Sequence, residues 1–93
     1  MQPDDPVPYP IDGILDLHTF SPKDIKTLIP DYIGACLDAG IYHLRIIHGK
    51  GTGTLRRTVH SILDKDKRVS HYQLAGPETG GWGATLVTLK NDN

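Results

Sequence analysis

His48-Gly49-Lys50-Gly51-Thr52-Gly53 decides how the rest of the chain is read. An apolar run, Leu44-Arg45-Ile46-Ile47, leads into it, and an amphipathic segment, residues 54–63, leads out. This order predicts strand, glycine loop, helix. Alternate glycines let a backbone approach a ligand without Cβ obstruction. The helix start that follows offers unpaired N–H groups and a positive dipole end, which suit an anion. Lys50, Arg56 and Arg57 add positive charge. Phosphate is the ligand this chemistry favours, and the competing reading is a tight strand-to-helix turn. The loop fits neither the P-loop pattern nor the dinucleotide fingerprint.

Outward from the loop, charge is unevenly spread. The 93 residues carry a net charge of −1. Residues 1–42 hold seven acids against two lysines, whereas residues 43–68 hold seven cations against two acids. Positive charge therefore gathers around the loop and its helix, where a local patch can hold a phosphate backbone in a near-neutral molecule. The alternative is a solvated helix face. The length allows one modest core. No run is long and apolar enough to span a bilayer. The N-terminal residues lack the basic and apolar regions of a secretory signal. Cys36 is the single cysteine, which excludes an internal disulfide and fits a cytoplasmic protein.

Residues 1–11 hold four prolines and two acids and predict an extended arm, followed by one domain over 12–90 and a short tail over 91–93. Residues 13–18 read as the first strand, with Leu15 and Leu17 on one face and Ile14, Asp16 and His18 on the other. An acid inside an apolar strand needs a partner or a task. Ser21-Pro22-Lys23-Asp24 starts a helix. Its apolar stripe runs through Ile25, Leu28, Ile29, Tyr32, Ile33, Cys36 and Leu37, and Gly40 is its C′ residue. Pro30 lies off the stripe, which predicts one kinked helix rather than two. Cys36 reads as core filler. Residues 42–47 form a second strand and residues 54–63 a second helix. Leu55, Val59, Ile62 and Leu63 of that helix face inward, and Arg56, Arg57 and His60 do not. Residues 64–68 connect to strands over 69–75 and 84–89, which flank a glycine loop containing Trp82.

The order βαβαββ makes an α/β two-layer sandwich with a mixed four-stranded sheet. Right-handed crossovers set the first three strands parallel, so that His18, the 48–53 loop and the 76–83 loop share the sheet's C-terminal edge.

Two motifs, Leu15-Asp16-Leu17-His18-Thr19 and His48-Gly49-Lys50-Gly51-Thr52-Gly53, give the chain a resemblance to the Smr (small MutS-related) domain family. Leu55-Arg56 and Gly80-Gly81-Trp82-Gly83-Ala84-Thr85 extend it across roughly residues 12–90. Thr19 stands where the family pattern has glycine. The resemblance implies a fold like the C-terminal domain of translation initiation factor 3. It also implies nucleic-acid binding, often with endonuclease activity on DNA or RNA. Carried over by position, Asp16 and His18 match the D-x-H pair and Arg56 the basic residue after the loop.

These residues suggest a nicking endonuclease. Asp16 orients His18 as general base and Arg56 stabilises charge at phosphorus. His48, Gly49, Lys50, Gly51, Thr52, Gly53, Arg57 and Trp82 are candidates for nucleic-acid contact. Trp82 has two readings, stacking on a base or packing on the sheet. His48 also has two, bonding phosphate or capping the strand end. Asp16 and His18 could instead be a buried structural pair. His43, His60 and His71 read as surface or packing histidines. The histidines and Cys36 show no zinc spacing, and a divalent metal such as Mg on Asp16 and phosphate is compatible but unforced. Two further readings stand beside the nuclease: a non-catalytic module for nucleic acid or ribosomes, and a protein-interaction domain. A monomer is expected.

Overall fold

A computed structural model describes residues 10–49, 53–76 and 83–91. The proline arm through residue 9, Lys50, Gly51, Thr52 and Trp82 lie outside them. Six elements follow in the predicted order: β1 (Ile14–Asp16), α1 (Pro22–Asp38), β2 (His43–Ile47), α2 (Thr54–Lys65), β3 (Val69–Leu74) and β4 (Ala84–Leu89).

The sheet order is β1-β2-β4-β3. β1 and β2 are parallel, and β4 runs antiparallel to both β2 and β3. The first three strands therefore share one direction, with β4 inserted between the second and third. β1 is shorter than the sequence suggests, because pairing to β2 stops at Asp16. Leu17 N–H still donates to the Ile47 carbonyl at 2.9 Å.

Strand alternation gives the sheet two faces. Leu15, Leu17, Leu44, Ile46, Val87 and Leu89 point to the helices, where they join Ile25, Ile29, Tyr32, Ile33, Cys36, Val59 and Leu63 in one core cluster. Leu55 and Ile62 pack against it half-buried. Ile14, Asp16 and His18 are exposed, as the period-2 reading requires.

α1 is one unbroken helix through Pro30. The proline has no N–H to donate to the Lys26 carbonyl. Ser21 stands at the N-cap, its hydroxyl donating to Asp24 at 2.8 Å instead of capping a backbone N–H. At the other end Gly40 adopts φ +75°. Gly40 N–H donates to the Leu37 carbonyl and Ile41 N–H to the Cys36 carbonyl, the two bonds of a Schellman stop. Cys36 is wholly buried, and burial pushes its thiol above the ordinary range.

α1 also fixes the start of β1. The buried Tyr32 hydroxyl accepts from Gly13 N–H at 3.0 Å and lies 3.3 Å from the Ile14 carbonyl. Burial pushes its phenol up to about 12, so it stays a neutral donor. The Gly13 carbonyl in turn accepts from Arg45 N–H at 2.7 Å. The first strand, and with it Asp16, is thus held in register from both the helix and the sheet.

Candidate active site at the sheet edge

Asp16 ends β1, and His18 lies two residues on, where the chain leaves the sheet. His18 N–H donates to Asp16 Oδ1 at 3.0 Å, and His18 Nδ1 lies 3.1 Å from the same oxygen. The backbone bond first, and the ring second, hold the Asp16 carboxyl below its usual range. An ionised carboxylate only accepts, so Nδ1 carries the proton and a neutral ring presents its lone pair at Nε2. The side chains of His18 and Asp16 are 79% and 50% exposed. That exposure excludes a buried structural pair and leaves Nε2 open to an incoming group. Asp16 lines a shallow cleft of about 340 Å³ with Pro10, Thr19 and Phe20.

β2 ends at Ile47, and His48 follows it on the same edge. Its backbone N–H and that of Gly49 both donate to the Gly83 carbonyl, at 2.9 and 2.8 Å. This ties the entry of one glycine loop to the exit of the other. The His48 ring is 6% exposed, with Nδ1 3.0 Å from the Gly49 carbonyl and Nε2 2.8 Å from Thr85 Oγ1. His60 Nε2 meets the same hydroxyl at 2.8 Å. A carbonyl can only accept, so Nδ1 of His48 donates and a neutral ring's Nε2 accepts. Thr85 then donates to His48 and accepts from His60. The direction of the whole chain is set by one carbonyl. Of the two roles open to His48, the ring geometry corresponds to the tied strand end.

His60 departs from the sequence reading, which placed it facing away from the core. It is half-buried, its ring 4.6 Å from that of Tyr72 and its nitrogen on Thr85. Burial is the main cause that lowers its affinity for a proton, with His48 and Arg56 adding to it. Well above the ordinary imidazole value of 6.5, both folded and unfolded His60 are neutral. As pH falls below that value, the unfolded chain binds a proton that the fold resists, so stability declines toward the depressed folded value. Melting temperature should therefore be flat above about pH 7 and fall on acidification. His60→Gln should flatten the fall, as read by thermal melts between pH 5 and 8.

α2 opens at Gly53, which takes φ +88°. A Cβ there would lie 2.9 Å from Nη2 of Arg56 and 3.5 Å from Nη1 of Arg57. Both guanidinium groups thus fold back over the helix start. Arg56 lines a cleft of about 310 Å³ with Phe20, Pro22, His48, Gly49 and Gly53. Gly53→Ala should cost about 1–3 kcal/mol through its positive φ, and should displace Arg56. A melt and an anion titration of the variant would check both.

Two clefts lie at this edge among the described residues. One contains Asp16 beside the exposed His18, the other Arg56, and Phe20 lines both. Among the described residues no hydrogen bond joins Arg56 to Asp16 or His18. Sequence reading missed Phe20 as the shared wall and Thr85 as the hydroxyl between two imidazoles. A threonine at a strand position that alternation turns inward was the available signal. No group of three His, Cys, Asp or Glu side chains among the described residues could hold a metal ion.

With this geometry in view, likeness to known proteins becomes informative. The Smr domain model matches residues 15–90. The chain belongs to the Smr domain family. Endonuclease MutS2 of Halothermothrix orenii is 38% identical over 77 residues, covering 83% of this chain and 10% of that protein. Endonuclease MutS2 of Finegoldia magna is 48% identical over 59 residues, covering 63% of this chain and 8% of that protein. The chain thus spans about a tenth of the length of these relatives. The crystal structure of the Smr domain of Thermus thermophilus MutS2 superposes with a TM-score of 0.78 at 33% identity, covering 84% of this chain and 98% of that one. YdaL, a stand-alone small MutS-related protein from Escherichia coli, gives 0.80 at 29% identity, covering 89% and 68%. The Smr fold is therefore shared along nearly the whole domain. No helix among the described residues is long and apolar enough to cross a membrane.

Proposed function

We propose that this Smr domain binds nucleic acid at the C-terminal edge of its sheet and nicks the phosphodiester backbone there. The observation that carries the reading is the exposed Asp16–His18 pair, in which the carboxylate takes Nδ1–H and leaves Nε2 free. On RNA, Nε2 takes the proton of the 2′-hydroxyl, whose oxygen attacks phosphorus. On DNA, it takes a proton from the attacking water. The leaving oxygen collects its proton from solvent. Arg56, across Phe20, meets the charge that develops on the phosphoryl oxygens. The resemblance to endonuclease MutS2 supports the same chemistry.

His48 serves this site as a positioning residue, because both ring nitrogens are engaged, by the Gly49 carbonyl and the Thr85 hydroxyl. Gly49, Lys50, Gly51, Thr52, Gly53 and Arg57 are assigned to phosphate contact and Trp82 to base stacking. The non-catalytic module, for nucleic acid or the ribosome, is the alternative. It keeps the loop and gives His18 no role.

Incubation with supercoiled plasmid and with structured RNA, each with and without EDTA, separates the two readings. Nicked plasmid or cut RNA supports the nuclease. Retarded but intact nucleic acid supports the binding module. The EDTA arms show whether a divalent cation such as Mg takes part.

A further inference from the structure

Away from the sheet edge, α1 and α2 enclose a cleft of about 770 Å³. Four cations line it: Lys26 from α1, Arg57 and Lys65 from α2, and Lys67 just beyond. Ser61 and Thr58 add hydroxyls to the same wall. Among the described residues that line it, Asp66 is the one acid, and it is already paired. Arg68 Nε donates to Asp66 Oδ1 at 2.9 Å and Nη2 to Oδ2 at 2.7 Å. That pairing holds the Asp66 carboxyl below its usual range. Arg68 Nη2 also donates to the Pro30 carbonyl at 3.1 Å, which fixes the pair against α1. Among the described lining residues the four cations have no acid left to answer them, in a protein whose net charge is −1.

The groove is continuous with the candidate site. Arg57 lies at its upper end, with its guanidinium over Gly53 where α2 begins. Lys65 closes α2 eight residues later, about 12 Å along the axis at about 1.5 Å per residue. A strand of duplex nucleic acid advances about 3.4 Å per phosphate along the duplex axis, but because it winds around that axis its neighbouring phosphates lie roughly 6–7 Å apart, so about two to three phosphates fit that length.

We infer that the α1/α2 groove is a second phosphate track, on which Lys26, Arg57, Lys65 and Lys67 carry one strand of a duplex away from the glycine loop. This rests on the nucleic-acid reading above and adds a direction to it: the duplex leaves the sheet edge on the helix side. The track supplies affinity and register. It does not touch the phosphate that is cut.

The test is a salt titration of binding by fluorescence anisotropy, with a labelled 20-base-pair DNA duplex and a labelled RNA hairpin as probes. The wild type is compared with Lys65→Gln/Lys67→Gln, both exposed positions. His71→Glu/Gln73→Glu controls for net charge, since it changes the formal charge by the same amount at exposed positions on the open face of the sheet, away from the helices. The double lysine variant should lose about two phosphate contacts, making the slope of log affinity on log salt shallower by about 1.8 on the DNA duplex. Affinity at 100 mM salt should fall about tenfold or more. The open-face variant should keep the wild-type slope. Wild-type slope and affinity in the double lysine variant would overturn the track while leaving the nucleic-acid reading intact. An equal loss in the open-face variant would reduce the effect to net charge and overturn it too. Failure of the wild type to bind either probe would overturn the nucleic-acid reading itself, and the track with it.

Discussion

His18→Ala is expected to lower the rate of phosphodiester cleavage by about 10²–10⁴-fold, the range ordinary for a general base, and to leave nucleic-acid affinity within about twofold. So lopsided an effect follows from the geometry of the ring. His18 is 79% exposed, and its Nδ1 is spent on Asp16. It contributes a lone pair at Nε2 and no fixed charge that a phosphate backbone would need. Nothing in the core leans on it, so the melting temperature should hold. Asp16→Asn should show a milder version of the same split. The amide presents no full charge to the imidazole, and its NH2 can turn toward Nδ1 and demand the other tautomer. Single-turnover rates and anisotropy on the same preparations separate rate from binding.

Thr85→Val should have the largest effect on stability of any single change near the site. The two side chains are nearly isosteric, but valine removes the hydroxyl that lies 2.8 Å from both His48 Nε2 and His60 Nε2. Thr85 is wholly buried, and His48 nearly so, which leaves no easy route for water to replace the hydroxyl. Unsatisfied buried groups cost about 1–3 kcal/mol each. A loss of about 2–3 kcal/mol would lower the melting temperature by about 10–20 °C in a domain of this size. The loop entry should loosen with it. Amide exchange of Gly49, whose N–H donates to Gly83, should speed up more than exchange in the middle of α1. Thr85→Ser keeps the hydroxyl and should recover most of the stability. If valine is as stable as the wild type, the two imidazoles do not depend on this bridge.

Much of this edge was legible from local pattern. Period-2 alternation placed Leu15 and Leu17 inward and put Asp16 and His18 on the opposite face. A stripe at helical spacing named the residues that α1 buries, and Ser21-Pro22 and Gly40 marked its ends. What stayed hidden depends on contacts between distant parts of the chain. The insertion of β4 between β2 and β3 leaves no trace in either neighbour's own periodicity. Its signal is the burial of both faces of Ala84-Thr85, which suits an inner strand. His60 reads from the sequence as a surface or packing histidine turned from the core, and the fold gives it the packing role. Its partner, Thr85, is 25 residues away. Arg56 was chosen for its place after the glycine loop. That local fact is kept in its position over Gly53, but the wall of Phe20 between it and Asp16 arises only from folding. On the open face of the sheet the Nε of Arg45 is buried with no hydrogen-bond partner among the described residues.

Chemical rescue shows whether a free imidazole nitrogen at position 18 removes the proton. The exposed space left by His18→Ala is open to small molecules, so added imidazole can reach the place of the missing ring. With an end-labelled substrate that the wild type cuts, the variant should be nearly inactive alone. Its single-turnover rate should then rise in proportion to the concentration of neutral imidazole. Cleavage by His18→Ala at the wild-type rate with no imidazole present would contradict the account.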